Sequence, residues 1–330
     1  RKGYYIEPID KLIIENDKQP SLETYHEHTA TEFEYSFSHM STDISEFPVD
    51  TWTKMMKQVF QNYDHYLSPI PEVKGPMELR QSIAKLISYQ RGIHCYPEQI
   101  VIGSGTNALL TKLIELMTKN ITIAVEDPGY SRFRTLLEQT RIHMEPIALD
   151  RKGISLEGIK DIQPNAVIVT PSHQFPIGTI MPVSRRIDLL NWASKTHSYI
   201  IEDDYDSEFK YETDNIPSLF SFDKNESVIY LGTFSKTLMP SIRMSYMILP
   251  TKLVRQNTIP DYSMLNALTL NLMIKEGHYE KYIKKMHQLY GKKRENLIAY
   301  LSMAFGEHIQ IKDTQAGLHF IIEVNSPYSY

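Results

Sequence analysis

From residue 100 onward the chain alternates short, continuous apolar runs with amphipathic stretches, and few folds accept that rhythm. The runs are Ile100-Val-Ile102, Ile121-Thr-Ile-Ala-Val125, Ala166-Val-Ile-Val-Thr170, Tyr199-Ile-Ile201, Val228-Ile-Tyr-Leu231 and Met244-Ser-Tyr-Met-Ile-Leu249. Each has the length of a strand and lacks polar alternation, as expected in a sheet covered on both faces. Helical patterns lie between them over 108–117, 130–139 and 183–196, the last carrying Ile187, Leu190 and Trp192. This alternation predicts an α/β domain with a largely parallel sheet and helices on both faces, whose ligands gather at strand ends.

The flanks read differently. Residues 7–34 are polar and acidic with Pro8 and Pro20, and read as a linker. A helix is expected after Phe47-Pro48, with Trp52, Met55, Met56 and Val59 on one face. Pro69 and Pro71 break 63–75 into a loop, and Leu79, Ile83, Leu86 and Ile87 mark a helix over 77–89. Residues 280–305 read as one long lysine-rich helix, followed by strands at 309–311 and 318–324 in a smaller α+β lobe that stops unfinished at Tyr330. The expected division is 35–70 as the N-terminal part of the small lobe with dimer contacts, 71–265 as the large domain, and 266–330 as the long helix and incomplete C-terminal lobe. A length of 330 residues suits about two domains at roughly 150 residues each.

Bulk properties exclude several classes. A net charge of −5 argues against binding nucleic acid through a broad basic face of this chain. Cys95 is the one cysteine, so no internal disulfide framework forms, no Cys/His zinc spacing is present, and a reducing, cytoplasmic setting is compatible. No apolar run approaches the length of a membrane span, and Arg1-Lys-Gly-Tyr-Tyr-Ile6 has no signal-peptide core. The chain does not begin with Met and reads as the middle of something longer.

Chemistry-bearing residues collect at the ends of the apolar runs. Gly103-Ser-Gly-Thr-Asn107 follows one run and opens a helix, so its backbone N–H groups and helix dipole suit an anion, although a plain turn would look similar. Glu126-Asp-Pro-Gly-Tyr130 ends another; Tyr130 either stacks on a planar ligand or starts the next helix. His173 reads as a hydrogen-bonded loop histidine. Glu202-Asp-Asp-Tyr205 sets three carboxylates at one strand end, as a helix cap, a solvated loop or a partner for a cation; no second carboxylate cluster completes a magnesium site. Lys236, in Gly232-Thr-Phe-Ser-Lys-Thr-Leu-Met-Pro-Ser-Ile-Arg243, is either a surface lysine or a nucleophilic amine. Pyridoxal 5′-phosphate requires this combination: a lysine for its aldehyde, a carboxylate for its ring nitrogen, and a helix N-terminus, hydroxyls and an arginine for its phosphate. A dinucleotide site requires no lysine.

Residues from about 35 to 325 resemble the aminotransferase-like domain of MocR/GabR-type bacterial transcription regulators, a fold-type I PLP architecture. The resemblance rests on Phe37-Ser-His-Met40, Leu79-Arg80, Arg91-Gly92, Pro97-Glu-Gln99, Gly103-Ser-Gly-Thr106 and Glu126-Asp-Pro-Gly-Tyr130. It rests further on Thr170-Pro-Ser-His-Gln-Phe-Pro176, Gly178-Thr-Ile-Met-Pro182, Ile201-Glu-Asp-Asp-Tyr-Asp-Ser-Glu-Phe209 and Thr233-Phe-Ser-Lys236 through Arg243. It implies that Lys236 carries the cofactor as a Schiff base and that Asp203, with Asp204 as the alternative, pairs the pyridinium nitrogen. Tyr205 would bond the cofactor's phenolate oxygen and Tyr130 would stack on its ring. Gly105, Thr106, Ser235 and Arg243 would hold the phosphate, and Arg132 would meet the carboxylate of an amino-acid-like effector.

The resemblance also implies a homodimer and a missing N-terminal winged helix-turn-helix that contacts promoter DNA, of which residues 1–6 would be the last strand. There are two departures. Phe175 stands before Pro176 where aminotransferases usually place an asparagine, and the family's carboxylate-binding arginine would fall beyond Tyr330. The expectation is a regulator with weak or vestigial transaminase activity, with a free-standing aminotransferase as the alternative.

Overall fold

The computed structural model describes residues 42–117, 121–212, 217–254 and 261–327. The expected linker at 7–34 and winged-helix remnant at 1–6 lie outside the described residues. In chain order the elements are α1 Val49–Asn62, α2 Asp64–Leu67, α3 Met77–Arg91, β1 Ile100–Gly103, α4 Thr106–Leu116, β2 Thr122–Asp127 and α5 Ser131–Gln139. There follow β3 His143–Asp150, β4 Gly153–Ile154, α6 Leu156–Ile162, β5 Ala166–Val169, α7 Val183–Thr196, β6 Tyr199–Asp204, α8 Leu219–Phe222 and β7 Val228–Thr233. The last are β8 Ser245–Ile248, α9 Met264–Lys275, α10 His278–Phe305, β9 Ile309–Lys312 and β10 Ile321–Val324.

Eight strands form one sheet in the order β1-β8-β7-β6-β5-β2-β3-β4. β7, β6, β5, β2 and β3 run parallel, while β8 is antiparallel to both β7 and β1. Gly103 pairs Ser245, Ser245 pairs Thr233 and Gly232 pairs Asp204, so the carboxyl ends of β1, β6 and β7 meet the start of β8 along one edge. The crossover order makes that edge a natural ligand crevice.

Helices cover both faces. On one face α4 and α5 pack Leu109, Leu110, Leu113, Phe133 and Leu137 onto Val101, Ile123, Ile168, Ile201 and Leu231. On the other, α6 and α7 cover Ala124, Val167, Val169, Ile200 and Val228, and α1, α3, α9 and α10 cover Ile100, Ile102, Tyr230, Tyr246 and Ile248. Among the described residues, no helix is long and apolar enough to cross a membrane.

Strand alternation sends the three carboxylates of β6 to opposite faces. Glu202 accepts backbone N–H bonds from Leu219 and Phe220 at 2.9 Å each, in the first turn of α8. Fully buried Arg186 on α7 lies 3.8 Å from Glu202 and donates to the carbonyls of Met181, Pro171 and Pro217. On the same face, Asp204 accepts from Arg91 at 2.8 Å and from the Tyr230 hydroxyl at 2.5 Å. Burial opposes the Asp204 charge, and Arg91 and Tyr230 overcome it, holding the carboxyl below its usual range.

Arg186→Ala removes four polar contacts at once and strands Glu202 in the core. We expect a loss of about 3–5 kcal/mol in urea unfolding; a loss under about 1 kcal/mol would show that water replaces the guanidinium.

Candidate functional site at the strand carboxyl ends

A pocket with about 920 Å³ of empty volume, partly open to solvent, lies at this edge. Gly105, Thr106, Tyr130, Arg132, Asp203, Tyr205, Ser235, Lys236 and Arg243 all line it, although they come from five separate chain segments. Asn107, Thr170, Phe175, Thr233, Leu318 and His319 complete the wall.

Each segment arrives for a local reason. Thr106 is the first residue of α4, and Gly105, at φ +130°, turns the chain off β1. A Cβ on Gly105 would sit 2.5 Å from Arg243 Nη2, so only glycine lets the guanidinium lie against this backbone. Arg243 itself has φ +50° and ends the short turn Pro240–Ile242 that leads back into β8. The result is a basic, N–H-rich concavity suited to an anion. Past β7, the backbone N–H of Ser235 donates to the Thr233 hydroxyl at 3.1 Å, and Ser245 donates to the same oxygen at 2.8 Å, tightening the loop before Lys236.

Asp203 points to the α4–α5 face, opposite Glu202 and Asp204, and enters the pocket. Burial pushes its carboxyl up to about 8, and Asp204, Asp206 and Glu126 push in the same direction against Lys236. Burial also lowers the Lys236 amine, with Arg132 adding to that effect and Asp206 and Asp203 opposing it. A lowered ammonium pKa leaves more free amine, the form that attacks carbonyls.

Tyr130 lies edge-on to Phe175, with ring centroids 5.7 Å apart and planes at 90°. Glu126 holds the Phe175 loop from below. One of its oxygens accepts from the Thr170 hydroxyl at 2.6 Å and from Gln174 at 3.3 Å. Burial raises the Glu126 carboxyl to about 7, and these hydrogen bonds pull it part of the way back.

Two features, one in this wall and one behind it, were not legible in the sequence. Leu318 and His319 come from the C-terminal lobe more than 80 residues after Lys236, with no spacing that ties them to the pocket. His173 is the hydrogen-bonded loop histidine expected, but it is buried, and its partner at 2.9 Å is Asp206, which lay in a matched motif without a role assigned to it.

The chain belongs to the aminotransferase class I and II family, whose model matches residues 36–327. It is 43% identical over 301 residues to the uncharacterised HTH-type transcriptional regulator YdeL of Bacillus subtilis (strain 168), covering 88% of this chain and 64% of that protein. It is 31% identical over 286 residues to the probable rhizopine catabolism regulatory protein MocR of Rhizobium meliloti, covering 84% of this chain and 58% of that one. The chain therefore spans less than two thirds of the length of these regulators. Among solved structures, the Pyrococcus horikoshii kynurenine aminotransferase, in complex with PMP, superposes with a TM-score of 0.76 at 23% identity, over 85% of this chain and 73% of that one. That likeness establishes the fold.

Asp203 supplies a pH test. Its folded value of about 8 exceeds the ordinary aspartate value of about 3.9. Between those values the folded chain holds a proton that the unfolded chain has released, so stability falls as pH rises through the window. Urea unfolding of the ligand-free chain from about pH 5 to about pH 8 should show it losing stability relative to Asp203→Asn, by at most about 1.4 kcal/mol per pH unit. Parallel curves would mean that the carboxyl ionises freely in the fold.

Proposed function

We propose that this chain is the PLP-binding, effector-sensing and dimerisation part of a MocR/GabR-type HTH transcription regulator. The observation that carries the reading is the pocket: nine residues from five chain segments bring an anion cradle, a buried carboxyl, aromatic walls and a half-buried amine around one space. The donor set fits PLP. Gly105, Thr106, Ser235 and Arg243 would hold its phosphate. Asp203, whose burial favours either a proton or a cationic partner, would face its ring nitrogen. Tyr130 would lie on the ring, Tyr205 would serve the ring oxygen, and Lys236 would bind the aldehyde carbon. When bound, PLP supplies an aldehyde that condenses with primary amines and a ring that withdraws electrons.

The same pocket would receive an amino-acid-like molecule. Arg132 would take its carboxylate, with Phe175, Leu318 and His319 as its remaining surroundings. An effector that binds one arrangement of the lobes more tightly shifts the population toward it, and an attached DNA reader responds to that shift. The similarity to HTH-type regulators supports placing such a reader before residue 1, with promoter DNA as its partner, residues 7–34 as linker and the cytoplasm as the setting. The reading includes a homodimer, by analogy with fold-type I proteins, which build their site at a dimer interface. Phe175, in the place of an aminotransferase's usual asparagine, favours sensing over rapid turnover.

Visible absorption of the purified chain with added PLP tests this. The wild type should show a band that Lys236→Ala lacks. Arg132→Ala should keep the band while weakening its response to candidate amino acids about tenfold or more, the cost of losing a hydrogen bond to a charged group. Absence of the band in the wild type would overturn the cofactor assignment. Sustained release of keto acid would favour the free-standing aminotransferase.

A further inference from the structure

Behind Tyr205 lies a buried pair that the pocket does not itself display. His173 and Asp206 have side chains only 1% exposed, and His173 Nδ1 lies 2.9 Å from Asp206 Oδ2. The Tyr205 hydroxyl donates to the His173 carbonyl at 2.9 Å, and its oxygen lies 3.2 Å from His173 Nδ1. Asp206 reaches the C-terminal lobe as well, because the Leu318 N–H donates to Oδ2 at 3.4 Å. The lobe approaches by bare backbone. A Cβ on Gly317 would fall 2.0 Å from His173 Nδ1 and 2.6 Å from Asp206 Oδ2, and Gly317 has φ +76°. The His319 ring then lies 4.4 Å from the His173 ring.

Three features set this pair apart from ordinary core packing. First, it is costly: among the described residues, His173 Nε2 and Asp206 Oδ1 are both buried with no hydrogen-bond partner. An apolar pair of similar volume would be neutral or more stable. Second, a carboxylate acceptor on Nδ1 fixes the proton there, so the imidazole offers an N–H, not a lone pair, to Tyr205. Third, Tyr205 has a single proton to donate, now given to the His173 carbonyl. When that proton turns toward an anionic oxygen in the pocket, the phenol oxygen is left able to accept, and the Nδ1–H, already given to Asp206 Oδ2 at 2.9 Å, would share its single proton with that oxygen across 3.2 Å in a three-centre bond.

We propose that His173 and Asp206 are positioning residues for Tyr205. They let its hydroxyl turn its proton to a ligand oxygen without leaving the phenol oxygen unpaired, and through Leu318 they tie that state to the C-terminal lobe. The inference rests on the PLP reading for the identity of the ligand and on the geometry above for everything else.

The test compares wild type with Tyr205→Phe, His173→Leu, the double variant Tyr205→Phe/His173→Leu, and His173→Asn, whose amide N–H stands near where Nδ1–H was. PLP dissociation constants and the wavelength of the visible band are measured for each. Tyr205→Phe and His173→Leu should each weaken PLP binding about tenfold, the double variant should be no weaker than Tyr205→Phe, and His173→Asn should recover most of the loss. Additive losses, or wild-type affinity and wavelength in His173→Leu, would overturn the proposal. If the wild type shows no PLP band, the cofactor reading fails on its own, and hydrogen exchange of the cofactor-free chain decides this one. Exchange at Gly317–His319 should then rise at least about tenfold in His173→Leu and return toward wild type in His173→Asn, with β5 unchanged; equal exchange in all three would overturn it.

Discussion

Three consecutive carboxylates in the middle of a buried sheet are the constraint around which this molecule is arranged. Each must find compensation, and the two-residue period of a strand forbids them a common partner. Glu202 and Asp204 turn to the face where α7, α8 and α3 bring Arg186, two backbone N–H groups and Arg91. Asp203 turns to the other face and meets other carboxyls and one distant amine. The electrostatics of the sheet are balanced on one side and left open on the other, and the open side is the pocket. Core pairing and pocket lining thus separate onto alternate residues of one strand.

How the sequence exposed this follows the range of the interactions. The parallel strands were legible because burial on both faces leaves an apolar run, and the residues that end them were legible because glycine, hydroxyl and charged side chains interrupt those runs. β3 escaped because its exposed and half-buried residues, with Pro146 among them, break the apolar signal of a covered strand. α9 escaped because it is packed on nearly all sides and so shows no amphipathic stripe, and the boundary drawn near residue 265 falls just inside it. The second lobe strand is shorter than expected, starting at Ile321 rather than Leu318, because Leu318 and His319 are engaged at the pocket instead of in a ladder.

The pairings that give the site its character were not legible. Arg91 and Asp204 are 113 positions apart, and His173 and Asp206 are 33 apart. No local period links such residues; only the closing of the sheet brings them together. That Asp203 and not Asp204 lines the pocket, by contrast, follows from strand parity once the strand is known to continue through both. The sequence puts the three acids at the end of a strand over 199–201, where a cap, a loop and a cation site all remain open; the strand in fact runs on to Asp204.

The C-terminal hairpin has a further consequence. β9 and β10 pair only with each other among the described strands; β9 alternates between half-buried and exposed residues, and β10 is exposed after Ile321. Such a hairpin is marginal by itself. It is held by short backbone contacts, Gly317 N–H to the Phe209 carbonyl at 2.6 Å and the bridge between Lys210 and Ala316. The pocket wall made by Leu318 and His319 is therefore hung on one of the least self-sufficient parts of the fold, while the opposite wall is rooted in the eight-stranded core. Opening that wall requires a sub-global fluctuation far smaller than unfolding, so traffic into the pocket is governed by the local stability of a two-stranded ribbon.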